Sequence, residues 1–244
     1  EMQRSLVGSE MCIRDSIGAE ALVRWNHPKL GIIPPDDFIP AFERNGFIYT
    51  MDLYVWEKAC CMMHGWRMEG LTEIPVSVNV SRTDLYHEDL PDRLAQLTKK
   101  YGLSPGELHL EITESVYVRD AAQMLMAIKR LKKAGFVIEM DDFGSGYSSL
   151  NILYELPIDV MKMDMRFLGR ADHEARRQTV MGLVINLAKE LNLQIIAEGV
   201  ETEEQAMLLK SLGCGLAQGY LYGRPVPEPE FIKCLPAKET NKET

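Results

Sequence analysis

The sequence predicts an α/β protein whose parallel strands close into a (β/α)-barrel. Short apolar segments alternate with longer amphipathic ones along most of the 244 residues, which is typical of the strand–helix units of a parallel sheet. Such units also build open, doubly wound sheets. The predicted strands recur about every 20 to 36 residues and no linker separates two domains, which favours the closed barrel.

Six segments have the length, apolar character and flanking turn residues of buried strands. They cover residues 74–81, 107–113, 136–141, 160–164, 193–199 and 215–221. The amphipathic stretch 119–135 ends in four cations and a glycine, as a helix C-terminus does. The stretch 174–192 has the same helical pattern, and Thr202 with Gln205 forms a capping box that predicts a further helix.

Composition narrows the classes of function. A chain of 27.7 kDa with 46% hydrophobic residues can bury a sizeable core, as one large domain or two small ones. The formal charge of −9 disfavours nucleic-acid polymers as partners, although it leaves small anionic ligands open. No apolar run approaches the roughly 20 residues that cross a bilayer. The start of the chain also lacks the basic head and apolar centre of a signal peptide, so we expect a cytoplasmic location. Five cysteines without a CxxC pair indicate reduced thiols.

Polar side chains end or interrupt nearly every predicted strand, where a buried strand has no packing need for them. They are Asn79, Glu111, Asp141, Asp142, Lys162, Glu198 and Gln218, with Glu20 in a similar context upstream. In a parallel barrel all strand C-termini share one rim, so these residues are predicted to converge.

This set is rich in hard oxygen ligands and contains no imidazole or thiolate, which suits a pair of Mg²⁺ or Mn²⁺ ions rather than zinc. Asp141 and Asp142 are adjacent like charges that repel each other. Two cations a few ångströms apart would offset that repulsion, because each could bind one of the carboxylates. Composition and spacing therefore predict a metal-dependent barrel enzyme. Each residue also has a non-functional explanation when it is considered alone. Arg24 could pack on Trp25, and Lys162 could form a salt bridge to a rim carboxylate. The five histidines show no ligand spacing and are interpreted as structural or exposed residues.

A series of motifs makes the prediction specific. The chain contains, in order, EALVRWNHPKLGIIPPDDFIP, VSVNVS, LEITES, MDDFGSGYSSL, LPIDVMKMD, AEGVET and QGYLYGRPVP. From about Ile17 to Ile232 this series resembles the bacterial EAL domains, which are cyclic-di-GMP phosphodiesterases. The resemblance implies a modified TIM (β/α)8 barrel whose first strand runs antiparallel to its neighbours.

The resemblance also implies a role for individual residues. It implies metal ligands at Glu20, Asn79, Glu111, Asp141, Asp142 and Glu198. It assigns catalysis to Lys162, which would hold the attacking water, together with Glu198 and Glu20. It implies substrate contacts for Arg24, Leu22, Asp164 and Gln218. Glu201 would anchor the loop after Asp142, in which Ser145 stands where the family often has threonine.

The implied reaction is hydrolysis of cyclic di-GMP to linear pGpG with two Mg²⁺ or Mn²⁺ ions, inhibited by Ca²⁺. The resemblance further implies a homodimer. Two other functions stay open: a catalytically silent receptor that binds cyclic di-GMP without cutting it, and an unrelated metal-dependent barrel enzyme. The intact ligand set favours the phosphodiesterase over the receptor.

The two ends of the chain depart from the family. Residues 1–16 lack the YQP-like strand that precedes the EAL motif and resemble the translation of a sequencing adapter. We interpret them as an artefact, which predicts that the first barrel strand is missing. The EAL domain is then expected over residues 17–235, followed by a disordered tail over 236–244. An upstream sensory or GGDEF domain, with any membrane anchor, would be lost from this fragment.

Overall fold

A computed structural model describes residues 2–12, 15–71, 73–114, 121–144, 150–165 and 174–235. The predicted disordered tail therefore lies outside the described residues, as does the loop from Ser145 to Ser149. The strands are β1 (Met2–Cys12), β2 (Asp15–His27), β3 (Gly31–Ile33), β4 (Val76–Asn79), β5 (Leu108–Thr113), β6 (Val137–Phe143), β7 (Val160–Asp164), β8 (Gln194–Glu198) and β9 (Leu216–Ala217).

The described strands form one sheet that closes on itself. From β2 the order runs through β4, β5, β6, β7, β8 and β9 to β1, which pairs with β2 again. Neighbours from β2 to β9 are parallel, whereas β1 is antiparallel to both β2 and β9. The short strand β3 pairs with β2 outside this ring. The predicted α/β barrel with an antiparallel first strand is thus confirmed.

The expectation that the first strand is missing is wrong. β1 pairs along β2 from Met2 opposite Trp25 to Cys12 opposite Asp15, and Met11 lies opposite Ala217 of β9. The pairing uses backbone N–H and C=O groups, which an extended segment offers whether or not it carries the YQP-like motif. The interpretation of residues 1–16 as an artefact is a statement about their origin and stays a prediction.

Helices surround the barrel. They are α1 (Pro35–Asn45), α2 (Ile48–Met68), α3 (Leu90–Lys100), α4 (Ala121–Lys133), α5 (Leu150–Glu155), α6 (Glu174–Glu190), α7 (Glu203–Ser211) and α8 (Glu228–Phe231). The predicted capping box is present at α7. The Gln205 backbone N–H donates to the Thr202 hydroxyl at 3.3 Å, and the Thr202 backbone N–H donates to the Gln205 side chain at 3.0 Å. None of the helices in these ranges is both long and apolar enough to cross a membrane.

The strands separate two chemically different layers. Alternate positions such as Val78, Leu110 and Ile138 are fully buried in the hydrophobic core between the sheet and the helices. The intervening positions point to the barrel interior, because strand side chains alternate between faces. Several of these positions carry charged or polar groups, among them Glu111 and Lys162. The fold therefore gathers the polar strand positions inside the ring.

Trp56 of α2 connects the helical layer to the end of β4. Its indole N–H donates to the Asn79 carbonyl at 3.0 Å, whereas the indole N–H of Trp66, also buried on α2, has no hydrogen-bond partner among the described residues.

We expect Trp56→Phe to lower the free energy of unfolding by about 1 kcal/mol more than Trp66→Phe, because only the first change removes a hydrogen bond. Urea denaturation measures both variants. Equal losses would contradict the prediction.

Candidate active site

Lys162 of β7 is the centre of the buried cluster. Its ammonium group donates to Glu111 of β5, to Glu198 Oε1 of β8 at 2.7 Å and to Glu20 Oε2 of β2 at 3.3 Å. The Lys162 side chain is only 1% exposed. Burial by itself lowers the pKa of Lys162, but the charges of Glu111, Glu20 and Glu198 raise this pKa well above its ordinary value. The ammonium is therefore held charged inside the barrel.

One ammonium does not neutralise three carboxylates. Burial, followed by the charge of Glu20, raises the pKa of Glu111 well above its ordinary value despite the nearby Lys162. Burial is also the main reason that the pKa of Glu198 rises to about 8. These shifts mean that the cluster has too little positive charge for its carboxylates to ionise easily. A site with this imbalance favours the binding of further cations.

Asp141 and Asp142 occupy an irregularity in β6. The pairing of β6 with β7 shifts register between Met140 and Phe143, and Asp142 has a φ of 54°, in the left-handed region. Consecutive residues of a regular strand point to opposite faces, so such an irregularity is needed to bring both carboxylates to one site. The backbone N–H of Asp142 donates to Asp141 Oδ1 at 2.7 Å, which partly offsets the repulsion.

Two groups of carboxylates are placed so that they could bind metal ions. One consists of Glu20, Glu111 and Glu198, and the other of Asp141, Asp142 and Glu198. Within each group the candidate ligand oxygens lie within 4.8 Å of one another. Glu198 belongs to both groups, so the two positions are adjacent.

Two buried oxygens of this cluster have no hydrogen-bond partner among the described residues. They are Glu111 Oε2 and Gln218 Oε1. The amide nitrogen of Gln218 donates to Glu20 Oε2 at 2.7 Å. This bond places Gln218 in the polar cluster, as the sequence predicts. Buried oxygens are rarely left without a partner, and a bound cation would satisfy them. The donor set therefore fits a hard divalent metal ion.

A cavity of about 770 Å³ opens beside the cluster. Glu20 and Asp141 line it at the barrel end, and residues of α1 and α2 line it on the other side. Its wall includes three arginines and several apolar side chains: Arg24, Arg44, Arg82, Ile39, Ile48, Met51 and Val55. Guanidinium groups suit phosphate and nucleobase oxygens, and apolar walls suit a ring system.

The other predicted residues have different positions. Leu22, Arg24 and Asn79 line the cavity, and Asn79 also lies opposite Glu111 in the sheet. Asp164 lies opposite Glu198 in the sheet and is buried, but it is not part of the cavity wall.

Glu201 is exposed after β8, and its backbone N–H donates to the Gln205 side chain at 2.7 Å. The loop that Glu201 was predicted to anchor lies outside the described residues, so that role stays a prediction. Glu114 fixes Gly144, the last described residue before this loop: its carboxylate accepts from the Gly144 N–H at 3.1 Å in a buried contact. The sequence signal was available, since Glu114 is the second glutamate of LEITES.

Two further pairs of ionisable residues went unnoticed in the sequence. Asp52 of α2 lines the cavity, and its carboxyl group lies beside that of the buried Asp84. Burial and the charge of Asp84 raise the pKa of Asp52 to about 10, and burial also raises the pKa of Asp84. The second pair joins His109 to Glu139 inside the barrel. No local pattern marks either pair, because its members come from separate elements.

Comparison with known proteins decides the family. The family model described as the EAL domain matches residues 10–225. The chain is an EAL domain. This confirms the family predicted from the motifs, whereas the predicted domain limits at residues 17 and 235 stay a prediction.

Relatives of this EAL domain are longer proteins. The bifunctional diguanylate cyclase/cyclic di-GMP phosphodiesterase MucR of Pseudomonas aeruginosa is 39% identical over 216 residues, which cover 88% of the chain and 32% of MucR. The chain thus spans about a third of that relative's length.

Solved structures resemble the EAL domain over nearly its whole length. The PaMucR phosphodiesterase in complex with c-di-GMP has a TM-score of 0.85 and 37% identity, covering 94% of this chain and 93% of that one. The calcium and c-di-GMP complex of Klebsiella pneumoniae BlrP1 has a TM-score of 0.80 and 29% identity, covering 93% of this chain and 56% of that one.

The Asp52–Asp84 pair predicts a pH-dependent stability. The pKa of Asp52 is raised from 3.8 to about 10 on folding, so its contribution is complete below about pH 4 and is lost as the pH rises towards 10. Asp52→Asn removes this loss. We expect its stability relative to the parent to rise between pH 5 and 9 by up to about 1 kcal/mol per pH unit.

Urea denaturation at several pH values measures this difference. The matched control is Asp36→Asn, which changes an exposed aspartate at the start of α1. We expect its difference from the parent to change much less with pH than that of Asp52→Asn, because Asp36 is exposed to solvent. A difference between Asp52→Asn and the parent that is flat across the range would show that Asp52 is ionised in the folded protein at neutral pH.

Proposed function

We propose that this EAL domain hydrolyses cyclic di-GMP to linear pGpG. One observation carries the proposal: Glu20 and Asp141 of the acidic cluster line the same cavity as Arg24, so a phosphate bound by the arginine would lie beside these two carboxylates. The cavity volume falls within the range of about 300–1,000 Å³ typical of small-molecule sites. The likeness to the PaMucR phosphodiesterase, solved with c-di-GMP, supports the choice of substrate.

We further propose two Mg²⁺ or Mn²⁺ ions as cofactors. The ligands would be Glu20, Asn79, Glu111, Asp141, Asp142 and Glu198. The two adjacent carboxylate groups and the unpartnered Glu111 Oε2 support this assignment. When bound, such ions activate a water molecule and offset the charge of the phosphate.

The chain's own residues bind and orient the substrate. Arg24 binds a phosphate oxygen, and Leu22 supports the ligand from the same strand, since both line the cavity. Lys162 stabilises the negative charge that develops on the phosphate oxygens, because its ammonium is charged and preorganised in a buried site. Gln218 orients Glu20 through the hydrogen bond between their side chains. Asp164 is proposed as a further substrate contact; it lies at the end of β7, opposite Glu198 in the sheet.

The reaction consumes one water molecule. Its oxygen forms a bond to phosphorus and the bond from phosphorus to the 3′ oxygen breaks. The leaving 3′ oxygen takes up a proton, and the proton lost by the water passes to solvent. The product is the linear dinucleotide with a 5′ phosphate.

A homodimer and a cytoplasmic location, both expected from the sequence, are part of the same proposal. Sedimentation of the purified chain tests the homodimer.

Chromatography of cyclic di-GMP incubated with the chain and Mn²⁺ tests the activity. We expect pGpG with the parent chain and at least a 100-fold lower rate with Glu20→Ala, since the change removes a carboxylate from the cluster. The matched control Glu57→Ala changes an exposed glutamate of α2 that pairs with Lys100 and should keep the parent rate. Retention of intact cyclic di-GMP with binding but no pGpG would support the receptor instead.

Calcium should inhibit this EAL domain. Ca²⁺ takes oxygen ligands at about 2.3–2.6 Å and with looser geometry than the 2.0–2.1 Å of Mg²⁺, so it fits the same carboxylates without supporting the reaction. We expect an excess of Ca²⁺ over Mn²⁺ to lower the rate by about tenfold, reversibly on removal by a chelator. Zn²⁺-free buffers and a Mg²⁺ addition of equal ionic strength are the controls. An unchanged rate with Ca²⁺ would contradict the proposed ligand set.

A further inference from the structure

Two of the arginines that line the cavity carry an unpaired positive charge. The side chains of Arg44 and Arg82 form no ion pair or hydrogen bond with the described residues. Arginines outside the cavity differ, since Arg67 pairs with two glutamates and Arg93 with an aspartate. A guanidinium without a partner can bind an anionic ligand without first breaking an internal ion pair. The cavity therefore offers cations in addition to Arg24.

Arg82 lies in a hydrogen-bonded turn that follows β4. The Ser81 backbone N–H donates to Asp84 Oδ2 at 2.7 Å, and the Asp84 backbone N–H donates to the Ser81 carbonyl at 3.1 Å and to its hydroxyl at 3.2 Å. The hydroxyls of Ser81 and Thr83 are also hydrogen-bonded, at 2.8 Å. These bonds close around Arg82 and fix its backbone before any ligand binds. A contact made from an ordered segment costs less entropy than one made from a flexible loop.

The turn places Arg82 near the helical side of the cavity. The buried carboxyl group of Asp84 lies beside that of Asp52 on α2, so the turn bridges the end of β4 and this helix. Glu20 and Asp141 line the cavity at the barrel end. Arg82 and the acidic cluster thus border different parts of one cavity.

The proposed substrate has an anion for each part. Cyclic di-GMP contains two phosphodiester groups in one ring, and the proposed reaction breaks only one of them. The phosphate to be cleaved lies beside Arg24 and the carboxylates, so the other phosphate lies elsewhere in the cavity. The cavity wall also contains Glu43 and Asp52, and the chain has a net charge of −9. A second phosphate in such surroundings needs its own cation.

We propose that Arg82 binds the second phosphate of cyclic di-GMP, the one that the reaction leaves intact. Because this phosphate does not change during the reaction, the contact is equally strong in the bound substrate and in the transition state. It therefore contributes to substrate affinity and not to the chemical step. This role rests on the proposed phosphodiesterase function for its substrate, but binding of cyclic di-GMP can be measured without turnover.

Arg82→Gln tests the role because it removes the charge from an exposed side chain. We expect KM for cyclic di-GMP with Mn²⁺ to rise about tenfold and kcat to stay within about twofold of the parent. Calorimetry with cyclic di-GMP in CaCl₂, which is expected to block turnover, should show about tenfold weaker binding. Arg82→Lys keeps the charge but loses the planar fork, so its affinity should fall only about threefold.

Arg93→Gln is the matched control. It removes the same charge from an exposed arginine of α3 that pairs with Asp89 outside the cavity. We expect KM, kcat and affinity within about twofold of the parent. Titrations at increasing NaCl add a second readout, since salt screens contacts between charges at an exposed site. The affinity of the parent and of Arg93→Gln should fall more steeply with NaCl than that of Arg82→Gln.

The outcomes separate this role from the alternatives. Parent-like affinity in Arg82→Gln would overturn the proposal, and so would an equal loss in Arg93→Gln, which would indicate an effect of net charge. An equally steep dependence on NaCl in Arg82→Gln and the parent would indicate a contact with an uncharged guanine edge and overturn the phosphate assignment.

The binding measurements also separate this role from the proposed activity. Should the parent bind cyclic di-GMP but produce no pGpG, the phosphodiesterase function fails, and the affinities of the variants still decide the role of Arg82. A parent chain that neither binds nor cleaves cyclic di-GMP would overturn both.

Discussion

The burial of one ammonium group among three carboxylates is the interaction on which the rest of this structure depends. Lys162 reaches Glu20, Glu111 and Glu198 from three other strands, so the contact exists only when the barrel is formed. Its attraction offsets part of the cost of placing these charges away from water. The remaining excess of negative charge makes the same position suitable for divalent cations. The same carboxylates therefore serve both the cohesion of the barrel and the proposed metal site.

The barrel makes this charge density tolerable by separating two layers. Residues such as Leu110 and Ile138 pack the sheet against the helices and supply the hydrophobic free energy of the fold. The neighbouring inward positions are then free to carry charge. Glu139 and His109 add a further hydrogen-bonded pair on the inward face of the strands. A (β/α)-barrel permits this, because each strand contributes to both layers.

Local backbone distortion completes the site. Asp142 adopts a left-handed conformation that costs a non-glycine residue free energy, and it does so where β6 loses register with β7. The gain is that two consecutive carboxylates meet Glu198 at one end of the barrel. The buried contact between Glu114 and the Gly144 N–H supports the chain just beyond this distortion. Such strain is stable only because the surrounding strands are fixed by their pairing.

The sequence by itself determined the barrel, the family and the polar strand ends, because side-chain periodicity and short motifs are local properties of the chain. Only the tertiary structure decided which ionisable side chains are paired with each other. The pairings of Asp52 with Asp84 and of Glu139 with His109 join separate elements, and their energies arise from burial. The first strand also depended on the fold, since β1 is held by backbone pairing with β2 and β9, which its side chains do not encode.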